Sequence, residues 1–169
     1  LAITLEGLED IAKQEIKEKT KSNVKVIAKT VLEFETTKDL TKVSFQSLTR
    51  MIKFLGTSNF KSKPSFKDID FSNIKEPFRV VCDRQGQHDF NSLTIEQELG
   101  GFILKKFKKT VNIHIPECVI YVYVRDNSYF VGEDFLKKDL SKREYKLKTT
   151  AVSLNSCIEY GAVRLSGYK

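Results

Sequence analysis

The chain has 169 residues, of which 40% are hydrophobic and 30% charged, and it carries a formal net charge of +7. That length accommodates one domain or two small ones, no apolar run approaches the roughly 20 residues needed to span a membrane, and no charged-then-apolar secretory segment opens the chain. Cys82, Cys118 and Cys157 match neither a disulfide framework nor zinc-site spacing, and are expected to be buried or free thiols in a reducing cytoplasm. In chain order, residues 1–5 form a short apolar strand. Residues 7–20 form an amphipathic helix with Leu8, Ile11, Ala12 and Ile16 on one side, acids near its start and lysines near its end, as the helix dipole favours. Val24, Val26 and Ala28, then Leu32 and Phe34, alternate as two strands. A second helix is predicted over 40–48. Residues 50–60 suit a helix or a strand and are assigned to a strand, which completes a β-α-β-β-α-β order of the ferredoxin-like kind. A turn over 61–65 and a short connecting helix over 66–73 lead to Pro77.

The most regular stretch follows. Phe78, Val80 and Cys82 alternate as a strand, and residues 85–89 have the composition of a tight turn, with Gly86 available for a positive φ. Ile95, Leu99, Phe102, Ile103 and Phe107 then share one helical face. Thr94 with Gln97 fits a capping box, and Ser92 is an equally good cap. Val111, Ile113 and Ile115 alternate as a further strand, Pro116 interrupts, and residues 118–124 and 129–131 pair as a hairpin about Asp126-Asn127. The result is an α+β chain whose second half holds a mixed sheet. A polar stretch near Thr149-Thr150 precedes a last helix carrying Ile158, Ala162, Val163 and Leu165.

Three blocks carry a resemblance. Phe78, Val80, Arg84, Gly86, His88, Phe90 and Ser92 follow an order similar to the opening of the THUMP domain, an RNA-binding module of tRNA-modifying enzymes. Gly132-Glu133-Asp134 and residues 139–145, DLSKREY, resemble the run that closes that domain. Leu154-Asn155 and residues 163–168 are similar to the first helix of the methyltransferase domain that follows THUMP in one branch of the family. The resemblance implies a ferredoxin-like domain over 1–62, a linker helix over 63–76, a THUMP domain over 77–149 and the first helix of a truncated Rossmann-type methyltransferase over 150–169. It further implies the RNA-binding portion of a tRNA guanine-N2 methyltransferase that captures the single-stranded 3′ end of the acceptor stem. S-adenosylmethionine would serve the full-length enzyme and would not be bound by these residues, with Asn155 the one weak candidate near its pocket. The chain opens on Leu1, which suggests a piece of a longer protein that does not itself catalyse.

Charge points the same way. Lys137, Lys138, Lys142, Arg143, Lys146 and Lys148 crowd one stretch against Asp139 and Glu144, the clustering expected of a phosphate-binding surface. Lys138, Lys142, Arg143, Lys146 and Lys148 are candidates for phosphate contacts, and Tyr145 for stacking an unpaired base. Arg84 can grip a phosphate in two places. His88 either stabilises its turn or touches RNA. The bland reading of the basic run is a solvated surface. His88 and His114 lack the neighbours of a metal site, and no serine has an activating base beside it. Neither membrane nor DNA is an expected partner. The rival readings are a non-catalytic tRNA-binding adaptor, a THUMP module of a thiolation, pseudouridylation or ribosomal-RNA enzyme, and a ferredoxin-like domain that binds another protein.

Overall fold

The computed structural model describes residues 1–143 and 153–167. In chain order the elements are β1 (Ala2–Thr4), α1 (Glu9–Thr20), β2 (Val24–Ala28), β3 (Val31–Phe34), β4 (Leu48–Met51), β5 (Lys53–Asn59), β6 (Phe78–Gln85), α2 (Ser92–Phe107), β7 (Cys118–Arg125), β8 (Ser128–Glu133) and α3 (Ser156–Leu165). They form two compact units, Leu1–Met51 with Lys138–Lys169, and Ile52–Lys137. The architecture is α+β, with a ferredoxin-like unit and a second unit built on a mixed sheet.

In the first unit the strands stand in the order β2-β3-β1-β4 with every pairing antiparallel. Ala2 lies between Leu32 and Met51. Helix α1 buries Ile11, Ala12 and Ile16 and ends at Lys21 in the left-handed region. Among the described residues, α3 is the second α-helix of this unit. A Cβ on Gly161 would sit 2.7 Å from Leu8 Cδ2 and 3.5 Å from Ile11 Cδ1, so α3 lies close against the start of α1.

The helix predicted over 40–48 is a single 3-10 turn, Leu40–Lys42, and residues 44–47 instead form a loop that runs into β4. The cause is Glu15, fully buried on α1. Its carboxylate accepts hydrogen bonds from Gln46 N (2.8 Å), Ser47 N (2.8 Å) and the Ser47 hydroxyl, and pairs with Lys19 Nζ at 2.5 Å. Backbone donors held by a side chain 31 residues upstream are lost to a helix.

The second unit has the strand order β5-β8-β7-β6, with β6 and β7 parallel and the rest antiparallel. Strand β5 was expected in the ferredoxin-like domain, but its six register pairs with β8 put it here, so the chain divides at Met51/Ile52 rather than over 63–76. Residues 138–143 likewise group with the first unit rather than with the domain expected over 77–149. One face of the sheet packs under α2, where Ile95, Leu99 and Ile103 meet Phe78, Val80, Ile120, Val122 and Val131. Residues 66–74 contain no helix. Phe66, Ile69, Phe71 and Ile74 are all buried in this core from an irregular path, because their 3-2-3 spacing does not share a helical face. Residues 111–115 form no strand beyond one bridge from Phe78 to Val111, and Val111, Ile113 and Ile115 are exposed. Helix α2 is capped by Asn91, whose Oδ1 accepts from Thr94 N, rather than by Ser92 or Thr94.

All three cysteines are free and buried. Burial pushes the thiols of Cys82 and Cys118 up to about 12 and that of Cys157 to about 11. A raised pKa favours the folded state while unfolded thiols keep their protons, so this contribution is whole below about pH 8.5 and is lost as pH rises toward the folded values. A disulfide exchange reagent at pH 8 is expected to titrate no thiol in the native chain and all three in denaturant. One fast equivalent in the native state would contradict this. Among the described residues no helix is long and apolar enough to cross a membrane.

Candidate nucleic-acid interface

Two places in the chain carry the residues singled out for an anionic partner. The first is the turn after β6. Gly86 adopts a φ of 111°, a conformation that suits glycine and lets the chain reverse. The reversal brings His88 back over the strand end. His88 Nδ1 lies 3.3 Å from Arg84 Nη1, and His88 Nε2 lies 2.6 Å from the Asp126 carbonyl oxygen. An arginine only donates, so Nδ1 is the acceptor and the ring proton sits on Nε2, which donates to Asp126. The ring stacks obliquely on Phe90 at 4.9 Å and faces Phe60 at 5.9 Å, and the Arg84 guanidinium lies 5.9 Å from the Phe90 ring. Both histidine nitrogens are thus committed, which supports the turn-stabilising reading of His88. Arg84 spends Nη1 on the histidine, and its Nε is buried with no hydrogen-bond partner. Among the described residues nothing engages Nη2, and that edge is the one this arginine has for an anion.

The second place is the segment after β8, which sequence reasoning treated as one basic patch. Asp134 is buried and its Oδ1 accepts from Lys137 N. Residues 138–143 belong to the first unit. Asp139 Oδ1 accepts from Ser141 N (2.9 Å) and Ser141 Oγ (2.7 Å), and Leu140 is buried with its N–H donated to Thr49 O. Arg143 Nη1 and Nη2 donate to the carbonyls of Phe45 (3.0 Å) and Gln46 (2.6 Å). The loop over 44–47 is therefore clamped from two directions, its N–H groups by Glu15 and its carbonyls by Arg143. Four members of the DLSKR run serve the fold. Lys142, with Lys138 four positions earlier, stays exposed.

Of the eight candidates, the structure joins Arg84 to His88, leaves Lys138 and Lys142 on the surface of the other unit, and turns Arg143 inward as a tie. Tyr145, Lys146 and Lys148 lie outside the described residues. Asn155, among the described residues, caps α3, its Oδ1 accepting from Cys157 N at 2.9 Å. No group of His, Cys, Asp and Glu among them is placed to hold a metal. His114 is an exposed residue of an irregular segment rather than of a strand. Sequence reasoning missed Asp126 and Phe60 as partners of His88. The hairpin turn at Asp126 was read correctly, and its position opposite the end of β6 becomes visible only with the β6–β7 register.

The model of the THUMP domain matches residues 42–134, beginning well upstream of Pro77. A tRNA (guanine(6)-N2)-methyltransferase from Archaeoglobus fulgidus is 31% identical over 111 residues, covering 61% of this chain and 28% of that protein. A probable tRNA sulfurtransferase from Clostridium perfringens is 35% identical over 81 residues, covering 43% of this chain and 21% of that protein. The crystal structure of TrmN from Thermus thermophilus superposes with a TM-score of 0.65 over 99% of this chain and 54% of its own length, at 21% identity, a likeness of fold. The chain thus spans about a quarter of these relatives and about half of the solved structure.

Proposed function

The chain belongs to the THUMP domain family, and on that premise we propose that it is the RNA-binding portion of a tRNA guanine-N2 methyltransferase, holding the unpaired 3′ end of the acceptor stem. The observation that carries the reading is the THUMP match together with the Archaeoglobus methyltransferase, whose identity extends over 111 residues. Arg84 supplies a fixed guanidinium edge and Lys138 and Lys142 supply mobile point charges for phosphates, with the Tyr145, Lys146 and Lys148 stretch continuing the basic run. We assign methyl transfer from S-adenosylmethionine to polypeptide outside the described residues, and place the protein in the cytoplasm with other tRNA-processing proteins. A second reading, a THUMP module of a tRNA-thiolating enzyme, is favoured by the sulfurtransferase relatives. Both readings predict tRNA binding, and they part at the product: a methylated guanosine or a thiolated base.

Lys142→Ala tests the RNA reading at an exposed residue whose loss leaves the fold alone. Affinity for tRNA, measured by fluorescence anisotropy, is expected to fall about three- to tenfold, and the slope of log K against log salt to become shallower by about 0.7 to 0.9. Arg143→Ala is expected to lower the unfolding midpoint instead, since it frees the carbonyls of Phe45 and Gln46. An unchanged affinity and salt slope in Lys142→Ala would remove this residue from the interface.

A further inference from the structure

Arg84 continues the alternation of Phe78, Val80 and Cys82, so it leaves β6 on the side of α2, where the apolar core ends. A free arginine there would spread its charge over many rotamers. This one is held. Its Nη1 lies 3.3 Å from His88 Nδ1, its guanidinium lies 5.9 Å from the Phe90 ring centre, and its Nε is buried. With Nη1 taken and Nε buried, Nη2 is the nitrogen left for an anion. The histidine is fixed in turn. Its Nε2 donates to the Asp126 carbonyl at 2.6 Å, and the Asp126 N–H donates to the Gln85 carbonyl at 3.0 Å, so the acceptor that sets the tautomer is itself anchored to the end of β6. Gly86 keeps the space open: a Cβ there would fall 3.2 Å from His88 Cε1 and 3.2 Å from Asp126 Oδ1, pressing on both.

An imidazole nitrogen accepts from an arginine only while it carries no proton. The Asp126 carbonyl, by taking the proton of Nε2, leaves Nδ1 bare for Arg84. The Nε2 bond alone would close the turn; the Nδ1 bond adds the orientation of a cation. Fixing that cation before an anion arrives removes part of the ordering cost of binding. We propose that His88 is a positioning residue: neutral and protonated on Nε2, it holds Arg84 with Nη2 presented to an RNA phosphate, and it makes no contact with the RNA itself. The proposal rests on the RNA-binding reading above and assigns one phosphate contact a support built from two turns.

Two substitutions separate the ring's two bonds. His88→Asn sets an oxygen near the place of Nδ1 and leaves the Asp126 carbonyl without its donor, whereas His88→Gln sets an amide N–H near the place of Nε2 and leaves Arg84 without its acceptor. Both lose the ring from Phe60 and Phe90 alike. Affinity for tRNA, by fluorescence anisotropy, is expected to fall about three- to tenfold in His88→Gln and to stay within about twofold of the parent in His88→Asn. The unfolding midpoint is expected to fall further in His88→Asn. Affinity and stability then rank the two variants in opposite orders, which a role in the fold alone does not produce. The slope of log K against log salt is expected to be unchanged in His88→Gln, since no charge is removed, and shallower by about 0.7 to 0.9 in Arg84→Ala. Added to Arg84→Ala, His88→Gln is expected to cost no further affinity. A His88→Gln variant that binds as tightly as the parent would overturn the proposal, as would a His88→Asn variant that binds more weakly than His88→Gln or a full extra loss in the double variant. A shallower salt slope in His88→Gln would make the histidine itself a phosphate contact and also overturn it. The RNA-binding reading fails separately, if the parent chain binds no tRNA, and the proposal then falls with it.

Discussion

Glu15→Ala is expected to destabilise the first unit by about 3–5 kcal/mol, measured as the shift of its urea-unfolding transition. The carboxylate is fully buried and accepts from two backbone N–H groups and a hydroxyl while pairing with Lys19. Truncation leaves the buried Ser47 N–H and hydroxyl and the half-buried Gln46 N–H without an acceptor, at about 1–3 kcal/mol for each buried group, whereas Lys19, about a third exposed, can turn to water. Glu15→Gln keeps the shape but turns one acceptor into a donor facing an N–H group, so roughly half the loss is expected to remain. A cost below about 1 kcal/mol for the alanine variant would show that the loop over 44–47 does not rely on this carboxylate.

Gly132→Ala is the second large effect, in the other unit. Gly132 stands in β8 between β5 and β7, and a Cβ there would fall 2.5 Å from the Lys53 carbonyl oxygen and 3.0 Å from Ile52 Cβ. The obstacle is backbone of a paired strand, which cannot rotate aside, so the β5–β8 ladder must open to admit a methyl group. A loss of about 3 kcal/mol or more is expected, at the upper end for overpacking, seen as a lower unfolding midpoint. A variant as stable as the parent would mean that β5 is not held in this register.

These two residues also show where the sequence is legible and where it is not. The strand, turn and helix of residues 78–107 could be read directly, because alternation at Phe78, Val80 and Cys82 and the helical face of Ile95, Leu99 and Ile103 are local patterns that match what each segment buries. The cap of α2 went to Asn91 because its extended backbone, φ −105° and ψ 167°, sets its side chain over Thr94 N, and neighbouring polar residues look alike in a sequence. What failed was decided at a distance. Leu40 and its neighbours have a helical spacing that Glu15 overrides, and β5 reads as a strand without saying that its partner is β8, some 70 residues on. Val111, Ile113 and Ile115 alternate, yet alternation alone supplies no partner, and only Val111 bridges to Phe78.

How the candidate residues are placed was legible in part. Arg84, Gly86 and His88 were picked out together and lie together, because their spacing is that of one tight turn. The DLSKR run was read as a charged surface since lysine and arginine look alike in a count of charge. The structure separates them: Arg143 reaches two carbonyls with its fork, while Lys142 points to solvent.

Tail recognition is the centre of the functional reading, and one comparison addresses it directly: affinity for a tRNA with its unpaired 3′ nucleotides against the same tRNA with them removed, at fixed salt. The account predicts a loss of at least about tenfold for the blunt RNA, the worth of one stacked base with its phosphate contacts. Equal affinities for the two RNAs would contradict it.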